Sequence, residues 1–273
     1  MTAACQATTS DGVELAYADI GTGPVVTLVH GFPLDRSMWD EQVAALAGTY
    51  RVIAPDLRGF GQSGIGPDDA RNGVPMERYA ADLVAVLDAA GVREPVVLAG
   101  FSMGGYVAWQ FALRTPERLR ALVLSDTRAA ADPPEAAANR RAMAERVLAE
   151  NSPAAAEGMI SKLLAPATLA AGLPAVARVT AMIRGASPAG IAAAQIGMAV
   201  RPDVRDRLGE IVCPALAIVG AEDAISPPAE MRELAAALPQ GRFVEVPMAG
   251  HMAPLENPAA YNAALLDFVG RAV

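Results

Sequence analysis

Short apolar runs rich in β-branched residues recur along the chain, separated by stretches with a helical rhythm. The runs are Val25–Val29, Arg51–Ala54, Pro95–Gly100, Leu119–Leu124, Ala215–Val219 and Arg242–Val246. Several are continuously apolar rather than alternating, as expected for parallel strands covered by helices on both faces. The segments between them carry helix signals. From Met76 to Ala90, the residues Tyr79, Leu83, Val86, Leu87 and Ala90 fall on one face, and Gly91 follows as a stop. A second helix, Met103 to Arg114, ends before Pro116, and Ser226-Pro227 reads as the cap and first turn of a helix running to Leu238.

The rhythm changes between about residues 128 and 207. This stretch has no aromatic residue and no strand pattern, and it contains prolines at 133, 134, 153, 166, 174, 188 and 202. Proline is tolerated in a first helical turn but not in a helix interior, so these positions divide the stretch into short helices. The organisation expected is an α/β core domain, residues 1–127 and 208–273, with a mostly parallel sheet. A helical cap, residues 128–207, is expected to be inserted after the strand that follows the helix Met103 to Arg114 and to fold over the sheet's C-terminal edge.

Composition narrows the function classes. With 53% hydrophobic and 19% charged residues, the 273-residue chain is globular, and its net charge of −8 offers no basic stripe for nucleic acid or anionic membranes. The beginning of the chain lacks the charged and apolar regions of a secretory leader, and no apolar run is long enough to span a bilayer, so a cytoplasmic protein is expected. Cys5 and Cys213 lie far apart without metal-ligand spacing, so each reads as an inert buried or surface thiol and no metal is expected.

The chemistry concentrates at Gly100-Phe101-Ser102-Met103-Gly104-Gly105, between an apolar run and a helix. In a nucleophile elbow the serine occupies a strained strand-to-helix turn, and the residues two before and two after it must be small. The helix start then aims N–H groups at a developing oxyanion. A serine hydroxyl needs a base, and the chain has two histidines. His251, in MAGHMAPLENP, lies after the last strand and before the last helix, on the edge that carries the elbow. His30, at the end of the first apolar strand, reads as a residue holding its loop; that loop supplies an oxyanion donor through the N–H of Phe32, the other being Met103. Two acids can orient the histidine. Asp223, in VGAEDAISPP, gives the chain order Ser, Asp, His and is preferred; Asp126, in LSDTR, is the alternative. Glu222 reads as a solvated neighbour. The DLRGFGQSG stretch from Asp56 lacks a phosphate-loop lysine and reads as a tight loop, with Asp56 and Arg58 bonding its backbone.

HGFP, DLRGFGQSG, GFSMGG, GAED with SPP, and GHMAPLENP, in this order, resemble the α/β-hydrolase superfamily across nearly the whole chain. The resemblance implies a Ser102, Asp223, His251 triad with Phe32 and Met103 as oxyanion donors. The segments MWDEQVAAL and SPAGIAAAQIGMAVRPDVRDRLGEIVCPALAIVG are similar to the 3-oxoadipate enol-lactonases and related esterases. They imply a cofactor-free hydrolase of carboxylic esters or lactones, acting on small, neutral, apolar substrates in a pocket to which Met159 and Met182 contribute. No residue stands out as a carboxylate binder for a diacid lactone: Arg128 and Arg184 are candidates, but each reads better as a solvated surface charge. The same triad also serves carbon–carbon bond hydrolases and haloperoxidase or perhydrolase relatives, and a hydrolase fold can serve a ligand-binding signalling protein. A serine at the elbow argues against dehalogenase and epoxide hydrolase chemistry, which place aspartate there. Oligomeric state has no signature in the sequence.

Overall fold

The structure is a computed structural model that describes residues 5–273, apart from the side chain of Ala155. Eight strands form one sheet: β1 Cys5–Thr8, β2 Glu14–Ile20, β3 Val25–Val29, β4 Arg51–Pro55, β5 Val96–Phe101, β6 Leu119–Ser125, β7 Ala215–Gly220 and β8 Gly241–Val246. Their order is β1-β2-β4-β3-β5-β6-β7-β8. The six runs expected as strands are β3 to β8, each within two residues of its expected bounds. The pairs β1/β2 and β2/β4 are antiparallel and all others parallel. The β1–β2 hairpin adds two strands to those read from the sequence. It turns at Asp11-Gly12, with Gly12 at φ 80° and Thr9 N–H bonded to Val13 O, the dipeptide that left-handed hairpin turns favour.

Strands β3, β5 and β7 are buried throughout, and each fully buried Val or Leu contributes about 1.5–3 kcal/mol. The helices α1 (Asp40–Leu46), α2 (Asp69–Asn72), α3 (Met76–Ala89) and α4 (Met103–Arg114) follow in the first half of the chain. Helices α3 and α4 pack on each other and across the sheet from β1 to β6. Between β6 and β7 the chain is helical without a strand: α5 Pro134–Glu150, α6 Ala154–Glu157, α7 Ile160–Leu163, α8 Pro166–Ala171, α9 Pro174–Gly185 and α10 Pro188–Ala199. Four of these begin on a proline, as the punctuation required. The final helices are α11 Pro228–Ala237, α12 Ala253–Glu256 and α13 Pro258–Ala272. Helix α13 packs on α1, β6 and β8, so the middle strands are covered on both faces. Helix α11 starts one residue later than Ser226-Pro227 suggests: Pro228 opens it, and the Ser226 N–H is held by Asp223 instead.

The helical insertion meets the core at loops on the sheet's C-terminal edge. Helix α10 is apolar all round and correspondingly buried. It lies so close to the β4–α3 connection that a Cβ on Gly190 would sit 1.9 Å from Gly59 O, after β4, and one on Gly197 1.8 Å from Val74 O, after α2. These two glycines are two helical turns apart on the contacting face. Beyond them, Val74 N–H bonds to Ala193 O and Met252 N–H to Leu163 O.

Candidate active site

The strand order reverses between β3 and β5, which pair in parallel with Val29 beside Gly100. Open α/β sheets bind ligands at such a switch point, outside the carboxyl ends of the strands. The loops after β3 and β5 are those carrying Phe32 and Ser102.

Ser102 joins β5 to α4 with φ 50° and ψ −112°, a left-handed conformation rare for a non-glycine residue. Its backbone is held firmly. The Ser102 N–H bonds to Ser125 O at 2.9 Å, and Ser102 O accepts the Thr127 hydroxyl at 2.7 Å and the Gly105 N–H at 2.9 Å. The small residues around it have a direct steric cause. A Cβ on Gly100 would lie 2.3 Å from Gly104 O, and one on Gly104 2.4 Å from Val29 O.

His251 lies between β8 and α12 and is buried, as is Asp223 in the loop after β7, whereas Ser102 keeps solvent access. The His251 Nε2 is 2.9 Å from Ser102 Oγ, and its Nδ1 is 2.8 Å from Asp223 Oδ2. The other oxygen of Asp223 accepts the N–H groups of Ile225 at 2.7 Å and Ser226 at 3.0 Å. With a carboxylate as partner, Nδ1 carries the ring proton and the Nε2 lone pair faces the hydroxyl. The imidazole also rests against the ring of Phe101, at 5.1 Å between centroids.

Asp126 directly follows β6 at φ 48°, buried beside this pair. It does not bond to His251. Its Oδ1 accepts the Gly220 N–H at 2.9 Å and its Oδ2 the Ser125 hydroxyl at 2.8 Å. Burial, and then the charge of Asp223, push its pKa well above the ordinary carboxylate value. Ligand-type atoms of Asp126, Asp223 and His251 lie within 4.8 Å of one another, and the hydrogen bonds above account for that cluster.

The N–H groups of Phe32 and Met103 have no acceptor among the described residues. They belong to the loop after β3 and to the first turn of α4. His30 is fully buried between two loops, with Nδ1 2.9 Å from Gly31 O and Nε2 accepting the Leu57 N–H at 2.8 Å. Burial lowers its pKa, so it is a neutral brace rather than a charge. Glu222 is exposed.

The other residues singled out in the sequence have defined partners, and one of them, Arg58, departs from its sequence reading. Asp56 does bond its loop, accepting the Gln62 N–H at 2.8 Å, but Arg58 does not. Arg58 is buried and forked onto Asp82, with Asp11 and Asp69 also in contact. Arg128 is spent on Glu230 and Arg184 on Glu157. Met182 is buried in the apolar core and Met159 packs against it. Glu256 had no role in the sequence reading. Its carboxylate joins the His251 loop to the helical insertion, and the signal was an acid directly after the apolar MAPL segment.

The chain belongs to the α/β-hydrolase fold family, whose family model matches residues 24–258. A solved structure of a thermophilic esterase from Thermogutta terrifontis, with malate bound, is similar at 44% identity and a TM-score of 0.94, covering 99% of both chains. The pimeloyl-[acyl-carrier protein] methyl ester esterase of Chromobacterium violaceum is 32% identical over 93% of this chain and 98% of its own length. An enol-lactonase from Burkholderia xenovorans LB400 is 26% identical, with a TM-score of 0.88 over 97% of this chain and all of its own. The relatives thus include esterases and a lactonase.

Proposed function

We propose that the protein is a cofactor-independent serine hydrolase of small carboxylic esters or lactones, with Ser102 as nucleophile, His251 as general base and Asp223 as the acid orienting it. The observation that carries this reading is the unbroken line from Ser102 Oγ through His251 to Asp223, with both contacts below 3 Å. The names of the relatives place their own chemistry on esters and a lactone, in keeping with it.

In this reading Ser102 Oγ attacks the acyl carbon and its proton passes to His251 Nε2. The carbonyl electrons move onto oxygen, which accepts the unpaired N–H groups of Phe32 and Met103. Collapse of this intermediate breaks the bond to the leaving alkoxide, which takes the proton from His251. Water then repeats the sequence on the acyl-enzyme, and the acid departs. Asp223 holds the imidazole in the productive tautomer and stabilises the imidazolium. Residues 128–207 act as a cap over the sheet edge, so substrate reaches Ser102 past the insertion.

A fluorophosphonate probe should label the wild type and leave Ser102→Ala unlabelled. Hydrolysis of p-nitrophenyl esters should fall about 10⁴-fold or more in kcat/KM in that variant. Persistent turnover by Ser102→Ala, or a wild type inert to the probe and to a panel of esters and lactones, would overturn the assignment.

A further inference from the structure

We infer that Glu256 is a positioning residue for His251, through which the position of the cap is coupled to the base. The inference rests on the reading of His251 as base and of the insertion as cap.

The ring of His251 is fixed by Ser102 and Asp223, but its backbone runs along the seam between core and insertion. Met252 N–H bonds to Leu163 O at 3.0 Å. Gly250 meets the insertion so closely that a Cβ there would lie 2.6 Å from Ala165 N and 2.9 Å from Leu164 C. The Glu256 carboxylate closes this junction. One oxygen accepts the Gly250 N–H at 2.8 Å, from the residue immediately before the histidine. The other accepts the Ala165 N–H at 2.8 Å and the buried Thr168 hydroxyl at 2.6 Å, both from the insertion. A single planar group thus takes three donors, one from the base's loop and two from the segment that opens α8.

On the outer side of this junction runs a crevice of about 250 Å³, between Leu173, Pro174 and Arg178 of the insertion and Glu41, Leu255 and Glu256 of the core. The seam is therefore not closed by continuous apolar packing there, and the polar contacts of Glu256 set the register of the segment from Leu163 to Thr168. If the segment shifts, two of the three donors leave the carboxylate and the third is attached to the histidine loop. General-base catalysis requires hydrogen-bond reach between base and nucleophile, so the cap's seating is transmitted to the Ser102–His251 contact.

The carboxylate is chemically required because both of its oxygens accept. In Glu256→Gln the amide NH₂ must face either the Gly250 N–H or the Ala165 N–H, donor against donor, and on the Ala165 side it also forces the Thr168 hydroxyl to turn from donor to acceptor. Thr168→Val removes one cap-side donor at nearly constant shape, and Thr168→Ser keeps it.

The test combines kinetics with the imidazole ¹⁵N and ¹H resonances of the full-length protein. Its two histidines allow His30, held by Gly31 and Leu57 in another loop, to serve as an internal reference. Thr168→Val and Glu256→Gln should shift or broaden the His251 resonances and leave those of His30 in place. The kcat for p-nitrophenyl acetate should drop about ten-fold with KM nearly unchanged, since a misplaced base costs rate rather than binding. Thr168→Ser should restore both readouts. The proposal is overturned if folded variants keep wild-type His251 resonances and kcat, if both histidines move together, or if Thr168→Ser behaves like Thr168→Val. Should Glu256→Gln fail to fold, the Thr168 pair decides alone. A wild type inert to fluorophosphonate whose His251 signals still respond to Thr168→Val would defeat the hydrolase reading while retaining the coupling.

Discussion

Two buried aspartates stand beside one imidazole, and what each accepts separates their roles. Asp223 takes His251 Nδ1 on one oxygen and two loop N–H groups on the other, so an amide in its place turns a donor toward a donor on one side. Asp223→Asn should lower kcat about 10⁴-fold with little change in fold. Asp126 is pushed toward its protonated form by burial and by Asp223, and a neutral amide resembles that form. Asp126→Asn should therefore keep kcat within about ten-fold of wild type; a loss exceeding that of Asp223→Asn would reverse the assignment of the acid. The stability readout has a defined sign. A pKa raised in the native state means that the native protein binds more protons at Asp126 than the unfolded chain does between the two values, so wild-type stability should decline as pH rises from the ordinary carboxylate value, about 4, toward the raised native one. Asp126→Asn lacks this decline, and urea midpoints should show its stability relative to wild type increasing with pH across that window. A pH-independent difference would mean that Asp126 is ionised in the native protein. That Ser102, His251 and Asp223 come together was legible because motif, chain order and a choice of two histidines constrain them. The arrangement of Asp126 was not, since both acids lie in the loops just after the neighbouring strands β6 and β7 and only the folded loops determine which meets Nδ1.

The loop after β4 is an element whose composition was legible but whose anchoring was not. Asp56 closes it locally, across six residues. Arg58 instead reaches Asp82, Asp11 and Asp69, which lie 24, 47 and 11 residues away. It therefore ties together α3, the β1–β2 turn and α2, a set no local pattern reveals. Breaking a buried pair leaves its partner charged and unpaired, and Asp82 is buried. Arg58→Met, close in volume but uncharged, should cost about 3–5 kcal/mol of unfolding free energy. Adding Asp82→Asn should recover part of that loss, because the stranded carboxylate is then gone. A double variant as unstable as the sum of the two single ones would show that the fork onto Asp82 contributes no coupling. The β1–β2 hairpin makes a related point. Its Asp11-Gly12 turn carries a local signal, yet β1 is four residues long and exposed except at Ala7, too little apolar pattern to mark an edge strand.

At the scale of the whole molecule, the insertion was legible as helices because proline and the loss of strand pattern are local properties. Its docking was not, because that depends on backbone approach at Gly190 and Gly197 and on single polar contacts across the seam. Docking also has a thermodynamic consequence. Val147, Ala156, Leu163, Val179, Ile183, Ile191 and Met198 of the insertion belong to the same contiguous buried cluster as β3, β5, β6 and β7. Removing the insertion would expose apolar surface on the core, and neither part buries its own share alone. A shared core favours one cooperative transition, even at a chain length where partly folded states become common. The chain provides two reporters of this. Trp109 donates its indole N–H to Arg128 O at the start of the insertion, so in Trp109→Phe the fluorescence comes from Trp39 alone, buried in the core against Phe101 and Tyr261, whereas a large share of the helical circular dichroism comes from α5 to α10. Equilibrium unfolding in urea followed by tryptophan fluorescence and by far-ultraviolet dichroism should give superimposable transitions with one midpoint. Dichroism that falls at lower urea than fluorescence would mean that the insertion melts from a folded core, and that its contacts with the loops after β4 and β8 are too weak to hold the two together.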